Sequence, residues 1–173
     1  KGACSWPQNQ FPRIIVCEAG CFTPNQTIAM VSEDPAATSQ RDIFSLFSAR
    51  TPQVLSLEAT SSIEDLRWKP VHVTKYTRDL TPTSQPVMTL QTEDRRRLTV
   101  TPNHPILDSA GVLREAETLT EGDRLLMANG EIAKITEIQH HTFHGQVYHL
   151  DVDSPFKLIN ANGFISGTVH YQN

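Results

Sequence analysis

Two separated segments of this chain hold residues that can do covalent chemistry together. The first is Gly20-Cys21, and the second is Thr101 and His104 in the run Thr-Pro-Asn-His. A thiol preceded by an unhindered glycine can attack the carbonyl of its own upstream peptide bond, which converts the amide to a thioester. The departing nitrogen must be protonated, and histidine is the usual general acid because its pKa lies near neutrality. A Thr-x-x-His turn after a strand supplies a hydroxyl and an imidazole on one side of that bond.

The cysteines are confined to the start of the chain. Cys4, Cys17 and Cys21 are the only three, and they do not form the paired units that usually hold zinc. All three can be small buried hydrophobes, two can form one bridge, or one can be a nucleophile. A Cys17–Cys21 bridge would consume the thiol and make Cys17 a redox regulator of cleavage, whereas a Cys4–Cys17 bridge would leave Cys21 able to react.

The rest of the chain must position these residues, and its pattern predicts an all-β domain. Short apolar, β-branched runs alternate with clusters of Pro, Gly, Asp, Asn and Ser. Helical period is weak, with single turns expected at 43–47 and 116–119. Exposed loops are expected at 32–41 and 79–86. The predicted strands are 28–31, 53–57, 71–73, 87–90, 98–100, 124–127, 132–135, 146–152 and 164–165.

A faint internal repeat relates two parts of this pattern. The segments 44–46, 54–57 and 71–73 resemble 116–119, 124–126 and 132–135 in their spacing of apolar residues. Two hairpin-rich halves of this kind can pack around one core. Residues 1–20 differ from both, because they show no strand alternation until 14–16.

Taken together, these motifs resemble the Hint superfamily of inteins, bacterial intein-like domains and hedgehog-type autoprocessing domains. The resemblance rests on Gly-Cys-Phe at 20–22, Thr-x-x-His about eighty residues later, Val-Tyr-x-Leu-x-Val at 147–152 and Asn-Gly at 162–163. It covers about residues 20–167. It implies a flat, horseshoe-shaped all-β fold with pseudo-twofold symmetry, an upstream arm at 1–20 and an autoprocessing domain at 21–173.

The resemblance also implies roles for individual residues. Cys21 matches the N-terminal nucleophile, so Gly20–Cys21 is the bond at risk. His104 matches the histidine that contacts the scissile amide and donates the proton, and Thr101 matches the threonine that polarises or strains it. His149 stands where inteins usually carry an aspartate.

One further role is specific to the hedgehog-type branch. Asp79 falls about where those domains carry the aspartate that activates the second nucleophile. An aspartate that enters a proline-rich loop is also commonly just solvated.

The C-terminal end departs from the splicing pattern. Splicing inteins end in His-Asn, and the asparagine cyclises to cut the second junction. Here Gly167-Thr168 takes that place, and His170 and Asn173 follow only later. The chain therefore resembles the branch that cleaves only its N-terminal junction, although a sterol-recognition region is missing. A splicing intein with a displaced C-terminal site and a non-catalytic β interaction module are the alternatives.

The expected partners are the upstream polypeptide in cis and an acceptor, which can be water, a thiol, an amine or a lipid alcohol. No cofactor or metal is expected, because the histidines at 140, 141 and 144 read as a solvated hairpin. A net charge of −4 and one short basic run, at 95–97, argue against nucleic acid. No apolar run approaches the ~20 residues that span a bilayer.

Overall fold

The regular structure of the chain is almost entirely β. The computed structural model describes residues 11–14, 20–31, 38–42, 53–78 and 84–168. Within these ranges the strands are interrupted by a single 3-10 turn at Ala116–Thr118, close to the turn predicted at 116–119. No helix in the described ranges is long and apolar enough to cross a membrane.

Three of the described strands are long, Trp68–Arg78 with 11 residues, Ser84–Thr92 with 9 and Ile132–His144 with 13, and the other described strands have five residues or fewer. In chain order the strands are β1 Arg13–Ile14, β2 Thr27–Val31, β3 Thr38–Asp42, β4 Gln53–Leu57, β5 Trp68–Arg78, β6 Ser84–Thr92, β7 Arg97–Val100, β8 Pro105–Leu107, β9 Val112–Glu115, β10 Arg124–Leu126, β11 Ile132–His144, β12 Tyr148–Val152, β13 Leu158–Ala161 and β14 Phe164–Gly167.

Among the described residues, the strands form two sheets. A ten-stranded sheet runs in the order β1-β9-β8-β14-β13-β2-β4-β5-β12, with β3 paired to β2, and a four-stranded sheet runs β10-β11-β6-β7. Every pairing is antiparallel except that of β1 with β9, which is parallel. Antiparallel neighbours need only tight turns to connect them.

The pairings confirm the two halves predicted from the repeat. The hairpin β4–β5 pairs through its long strand with β12, and the hairpin β10–β11 pairs through its long strand with β6. The β13–β14 hairpin joins the halves, because β13 pairs with β2 and β4 while β14 pairs with β8. The first segment of the repeat, at 44–46, lies outside the described residues.

Two of the predicted loops are partly wrong. Residues 38–41 form most of β3, and residues 84–86 begin β6. Strand β3 pairs only with β2, and a strand at the margin of a sheet needs no apolar face. The start of β6 is held by pairing with the far end of β11, out to Ser84 opposite His144. Both strands are therefore fixed by pairing with a partner strand and not by local apolar alternation.

The apolar side chains form two clusters. The larger one packs around Phe22, Val100, Tyr148 and Phe164 and contains most of the buried residues of β2, β6, β7, β11 and β12. A second cluster of buried leucines and Ile165 lies beside β8, β9 and β10 and includes the half-buried Phe11, Trp68 and Phe156 at its margin. The larger cluster carries the candidate site at its surface.

Candidate functional site

Phe22 holds the chain next to Cys21 between strands β7 and β12. Its N–H donates to the Tyr148 carbonyl at 2.7 Å, and the Tyr148 N–H donates to the Phe22 carbonyl at 2.9 Å. Phe22 also bridges to Val100, so one residue joins the end of β7 to the start of β12. Its side chain is buried. Cys21, the preceding residue, is thereby held where the two ends meet.

Thr101 binds the backbone of Cys21 on both sides of its Cα. The Cys21 N–H donates to Thr101 Oγ1 at 2.8 Å, and the Thr101 N–H donates to the Cys21 carbonyl at 2.9 Å. The Thr101 hydroxyl can in turn donate to Asn103 Oδ1 at 2.7 Å. The nitrogen of the Gly20–Cys21 bond is thus held by a side-chain hydroxyl that belongs to the predicted Thr-x-x-His segment.

Gly20 packs directly on the backbone of His104. A Cβ added at Gly20 would lie 2.5 Å from His104 Cα, 2.5 Å from His104 N and 2.7 Å from Thr101 Oγ1. No backbone atom can give way by that much, so only glycine fits this position. The close approach brings the Gly20–Cys21 peptide bond against the turn that carries the imidazole, where His104 N–H donates to the Thr101 carbonyl at 3.0 Å.

The His104 side chain is buried and contacts Phe22 and Ser166. Its ring centroid lies 4.3 Å from that of Phe22, with the planes tilted by 59°. Nε2 is hydrogen-bonded to Ser166 Oγ. Nδ1 makes no hydrogen bond of standard geometry within the described ranges. The imidazole is therefore held by Nε2, and Nδ1 keeps its capacity for a hydrogen bond.

Burial lowers the pKa of His104 from 6.5 to about 3, because the charged form loses its hydration. The backbone of Gly20 raises the pKa by hydrogen bonding, and the charge of His149 lowers it further. Both smaller effects require Gly20 and His149 to lie near the imidazole ring of His104. At neutral pH the imidazole of His104 is therefore uncharged.

His149 joins the site from β12. Its neighbours Tyr148 and Leu150 are buried in the larger core cluster, so the half-buried His149 faces the other side of the strand. The Tyr148–Phe22 hydrogen bonds bring this strand beside Cys21. The structure thus brings together Gly20, Cys21, Thr101, His104 and His149.

Ser166 and Asn103 belong to this arrangement, and sequence reasoning did not single them out. Ser166 is fully buried in β14 and contacts His104 across 62 residues. A weak signal exists, since Ser166 is a polar residue that directly follows Phe164-Ile165 in a buried strand. Asn103 was visible as part of the turn, but its contact with Thr101 depends on the geometry of that turn.

A cleft of about 350 Å³ opens beside Cys21. Cys21, Thr101 and Asn103 form one wall, and the others are Gln85, Pro86, Pro102 and Glu117. Cys21 is only partly buried, whereas His104 is fully buried. A small molecule can therefore reach the sulfur from outside.

The C-terminal end of β14 carries no amide side chain. Gly167 is paired with Leu158 in the β13–β14 ladder. Thr168 is buried, and its hydroxyl donates to the Lys157 carbonyl at 3.1 Å, while its N–H donates to the same oxygen at 3.1 Å. Lys157 in turn forms an ion pair with Asp151 at 2.9 Å.

The Asn162-Gly163 motif has a structural role in this arrangement. Asn162 Nδ2 donates to Gln26 Oε1 at 2.8 Å and to the Arg97 carbonyl at 2.7 Å. Both residues of the turn have positive φ, 52° at Asn162 and 89° at Gly163. The motif therefore ties the β13–β14 turn to β2 and β7.

Several residues singled out from the sequence lie outside the described residues. These are Cys4, Cys17, Asp79, His170 and Asn173. Asp79 directly follows β5, whose last residue, Arg78, pairs with Tyr148. The histidines at 140, 141 and 144, interpreted from the sequence as a solvated hairpin, are exposed on β11, which pairs with β6, and His144 Nδ1 lies 2.8 Å from Ser84 Oγ. In the described ranges no three His, Cys, Asp or Glu side chains are grouped as metal ligands.

The fold matches solved structures of inteins and an intein-like domain. A DnaB intein from Synechocystis sp. PCC 6803 superposes with a TM-score of 0.69 at 17% identity, covering 87% of this chain and 99% of the other. The PabCDC21-1 intein gives 0.70 at 17% identity, with coverages of 87% and 99%. A bacterial intein-like domain from Clostridium thermocellum gives 0.64 at 16% identity, with coverages of 87% and 97%.

No protein-family model and no curated protein matches the chain. The structural matches cover most of both chains, so the likeness extends over the whole fold and is not confined to one hairpin. The predicted all-β Hint fold is confirmed.

Proposed function

We propose that this chain, which has the fold of inteins and intein-like domains, is a self-processing domain that activates the Gly20–Cys21 bond as a thioester. The upstream segment 1–20 is its substrate in cis, and 21–173 is the processing domain. The observation that carries the proposal is that Thr101 and His104 both contact the Gly20–Cys21 peptide unit. Its nitrogen donates to Thr101 Oγ1 at 2.8 Å, and its glycine packs against the His104 backbone.

The first step is an isomerisation that needs no external reagent. Cys21 Sγ attacks the Gly20 carbonyl carbon, a C–S bond forms and the C–N bond to Cys21 breaks. The proton lost by the thiol passes to the Cys21 nitrogen, which leaves as an amine. Amide plus thiol thus becomes thioester plus amine with all atoms accounted for.

The neutral imidazole of His104 suits this transfer. A protonated His104 would not accept the thiol proton, and its pKa of about 3 keeps it neutral over the whole physiological range. Since Nε2 is bonded to Ser166, Nδ1 is the nitrogen that faces the Gly20 backbone. His104 is the proton shuttle in this scheme. Thr101 orients the nitrogen, and His149 sets the charge around the ring.

The second step releases the upstream polypeptide. An acceptor attacks the Gly20 thioester carbonyl, the C–S bond breaks and Cys21 is left as a thiol. The cleft beside Cys21 admits water, a small thiol, an amine or an alcohol. Asp79 is the proposed activator of the acceptor, and Cys17 is a proposed redox partner that blocks Cys21 until reduced.

Intact-mass measurement of the purified chain with and without hydroxylamine tests the proposal. Hydroxylamine attacks thioesters far faster than amides, so wild type is expected to break between Gly20 and Cys21. The N-terminal fragment would carry a hydroxamate. Cys21→Ala is expected to stay intact, while Cys17→Ala, the matched control, is expected to cleave without a reduction step.

Two outcomes would contradict the proposal. Cleavage of Cys21→Ala at the same bond would remove the cysteine from the mechanism. A folded wild-type chain that hydroxylamine leaves whole after reduction would favour a β interaction module that retains the fold without the chemistry.

A further inference from the structure

The upstream segment is bound to the domain at a place remote in sequence from the scissile bond. Residues Arg13–Ile14 form the parallel strand β1, with Arg13 opposite Val112 and Ile14 opposite Leu113 of β9. The Arg13 N–H donates to the Gly111 carbonyl at 2.8 Å. The segment thus extends the large sheet by one strand at its margin, which is a common mode of peptide recognition.

A side chain anchors this strand. Phe11 is half-buried and packs against the second apolar cluster, at the side where Ile63, Leu66 and Trp68 also lie. The space for its ring depends on Gly111, because a Cβ there would lie 2.8 Å from Phe11 Cδ2. Gly111 also has a φ of 78°, which a side chain disfavours. We call the β9 edge, Gly111 and this apolar margin the arm seat.

The arm seat and the scissile bond lie on one rigid framework. Strand β9 pairs with β8, and β8 begins at Pro105, directly after His104. Leu113, the partner of Ile14, is opposite Leu107, which is three residues beyond His104. At ~3.3 Å per residue and ~4.8 Å per strand, Ile14 lies about 10 Å along and about 10 Å across from the His104 turn.

Residues 15–19 are long enough to connect Ile14 to Gly20 across this distance. The combined distance is about 14 Å, and the six steps from Ile14 to Gly20 span at most ~20 Å. Holding Ile14 therefore restricts Gly20 to positions within ~20 Å of Ile14, a range that includes the catalytic turn. Much of the entropy needed to place the Gly20–Cys21 bond is lost on folding instead of in the reaction step.

We propose that the arm seat is a recognition site for the upstream polypeptide, which it accepts as an extended strand with a bulky apolar residue nine positions before the scissile glycine. This role rests on the proposed cleavage at Gly20–Cys21. The seat acts in cis, where the covalent link keeps the segment at high effective concentration. A four-residue contact is far smaller than the ~800 Å² per partner of a stable complex, so the cleaved arm dissociates.

Four variants of the full chain test the role, with the first-order rate of hydroxylamine-induced cleavage as the readout. Arg13→Pro removes the N–H that bonds Gly111, and Arg13→Ala, its matched control, keeps that N–H and changes only an exposed side chain. Phe11→Ala removes the side chain that packs in the arm seat, and Phe11→Leu keeps a bulky apolar side chain there. Arg13→Pro and Phe11→Ala are expected to slow cleavage about tenfold, and the other two to stay within about twofold of wild type.

The thermal unfolding midpoint of each variant is measured in a Cys21→Ala background, where no cleavage is expected. It serves as the control that each variant is folded when its cleavage rate is compared. Wild-type rates in both Arg13→Pro and Phe11→Ala would overturn the recognition role alone. Equal slowing in all four variants would also overturn it. The cleavage rate would then depend neither on the Arg13–Gly111 hydrogen bond nor on the Phe11 ring. A wild-type chain that never cleaves would overturn the proposed function, and the role would fall with it.

Discussion

At the scale of single residues, the state of His104 decides how the site works. A solvent-exposed histidine would change its charge near neutrality, but burial holds this one neutral down to a pH of about 3. The cost of burying a neutral imidazole is modest because Nε2 has a partner in Ser166. The same burial makes protonation of the folded protein unfavourable, and this has a measurable effect on stability.

That effect appears as a pH dependence of the free energy of unfolding. The pKa of His104 is about 3 in the folded chain and 6.5 in the unfolded chain. The unfolded state therefore binds the extra proton between these values, so stability is full above pH 6.5 and falls as the pH drops toward 3. The slope from this one group is about 1.4 kcal/mol per pH unit.

Denaturant titrations of Cys21→Ala with and without His104→Asn measure this contribution. The two free-energy curves are expected to run parallel above pH 6.5, and the gap between them should change steadily from pH 6.5 to pH 4. The variant has no group to protonate at this position, so its curve should be the flatter one. Parallel curves over the whole range would mean that His104 is accessible to protons in the folded protein.

Ser166 is expected to position His104. Its hydroxyl holds Nε2, which leaves Nδ1 for the scissile bond. Ser166→Ala removes this hold with little change in volume, so we expect cleavage to slow about tenfold, compared with the ~10²–10⁴-fold expected for His104→Ala. Ser166→Thr keeps a hydroxyl and tests for rescue. Unchanged cleavage in the alanine variant would show that packing against Phe22 alone orients the ring.

The sequence predicted which residues of the motifs meet at this site better than it predicted the residues that support them. Cys21, Thr101, His104 and His149 stand in local motifs whose spacing is meaningful before any folding is known. Ser166 contacts His104 only because β14 pairs with β8, and nothing local to residue 166 specifies that partner.

At the scale of secondary structure, the ends of three strands create the site. Strand β7 ends and strand β12 begins beside Phe22, and β5 ends opposite Tyr148. Asp79 follows β5 directly in the sequence, and Arg78, the last residue of β5, pairs with Tyr148, the first residue of β12. This placement supports the role proposed for Asp79 in the second step.

Asp79→Ala separates the two steps of the reaction. Hydroxylamine needs only the thioester, so hydroxylamine-induced cleavage is expected to be preserved within about twofold. Release by water is expected to fall at least tenfold, because general-base catalysis typically contributes ~10²–10⁴-fold. Asp79→Asn is the isosteric control for folding. Equal loss of both reactions would assign Asp79 to the first step or to the fold.

Strands with apolar alternation were predictable, whereas those specified by their partners were not. The runs at 53–57 and 98–100 fall within β4 and β7 as expected. Strand β3 reads Thr-Ser-Gln-Arg-Asp, which resembles a loop in isolation, and it exists because β2 offers an open edge. Strand β11 extends nine residues past its predicted end for the same kind of reason, since β6 continues to pair with it.

At the scale of the whole molecule, the pseudo-twofold fold brings the start and the end of the domain together. Strand β14, the last described strand, pairs with β8 directly after His104. In this position a splicing domain would need a cyclising asparagine. Gly167 and the buried, hydrogen-bonded Thr168 occupy it instead. We therefore expect cleavage of the N-terminal junction without ligation.

A reporter protein fused after Asn173 tests that expectation. The products expected by mass are residues 1–20 and the domain still joined to the reporter. Asn173→Ala is the matched control and should give the same products. A product that joins residues 1–20 to the reporter, lost in Asn173→Ala, would show that a displaced splicing site operates.

The most direct test of the central claim observes the Gly20–Cys21 bond itself. Gly20–Cys21 is the only Gly-Cys pair in the sequence, so carbonyl-¹³C glycine with ¹⁵N cysteine gives one coupled carbon–nitrogen signal. We predict that this signal decays in the reduced wild-type chain as a thioester carbonyl, or its hydrolysis product, appears at the same rate. In His104→Ala the signal should persist far longer. Full retention of the signal while hydroxylamine cuts the chain would place the reactive bond elsewhere and contradict the account.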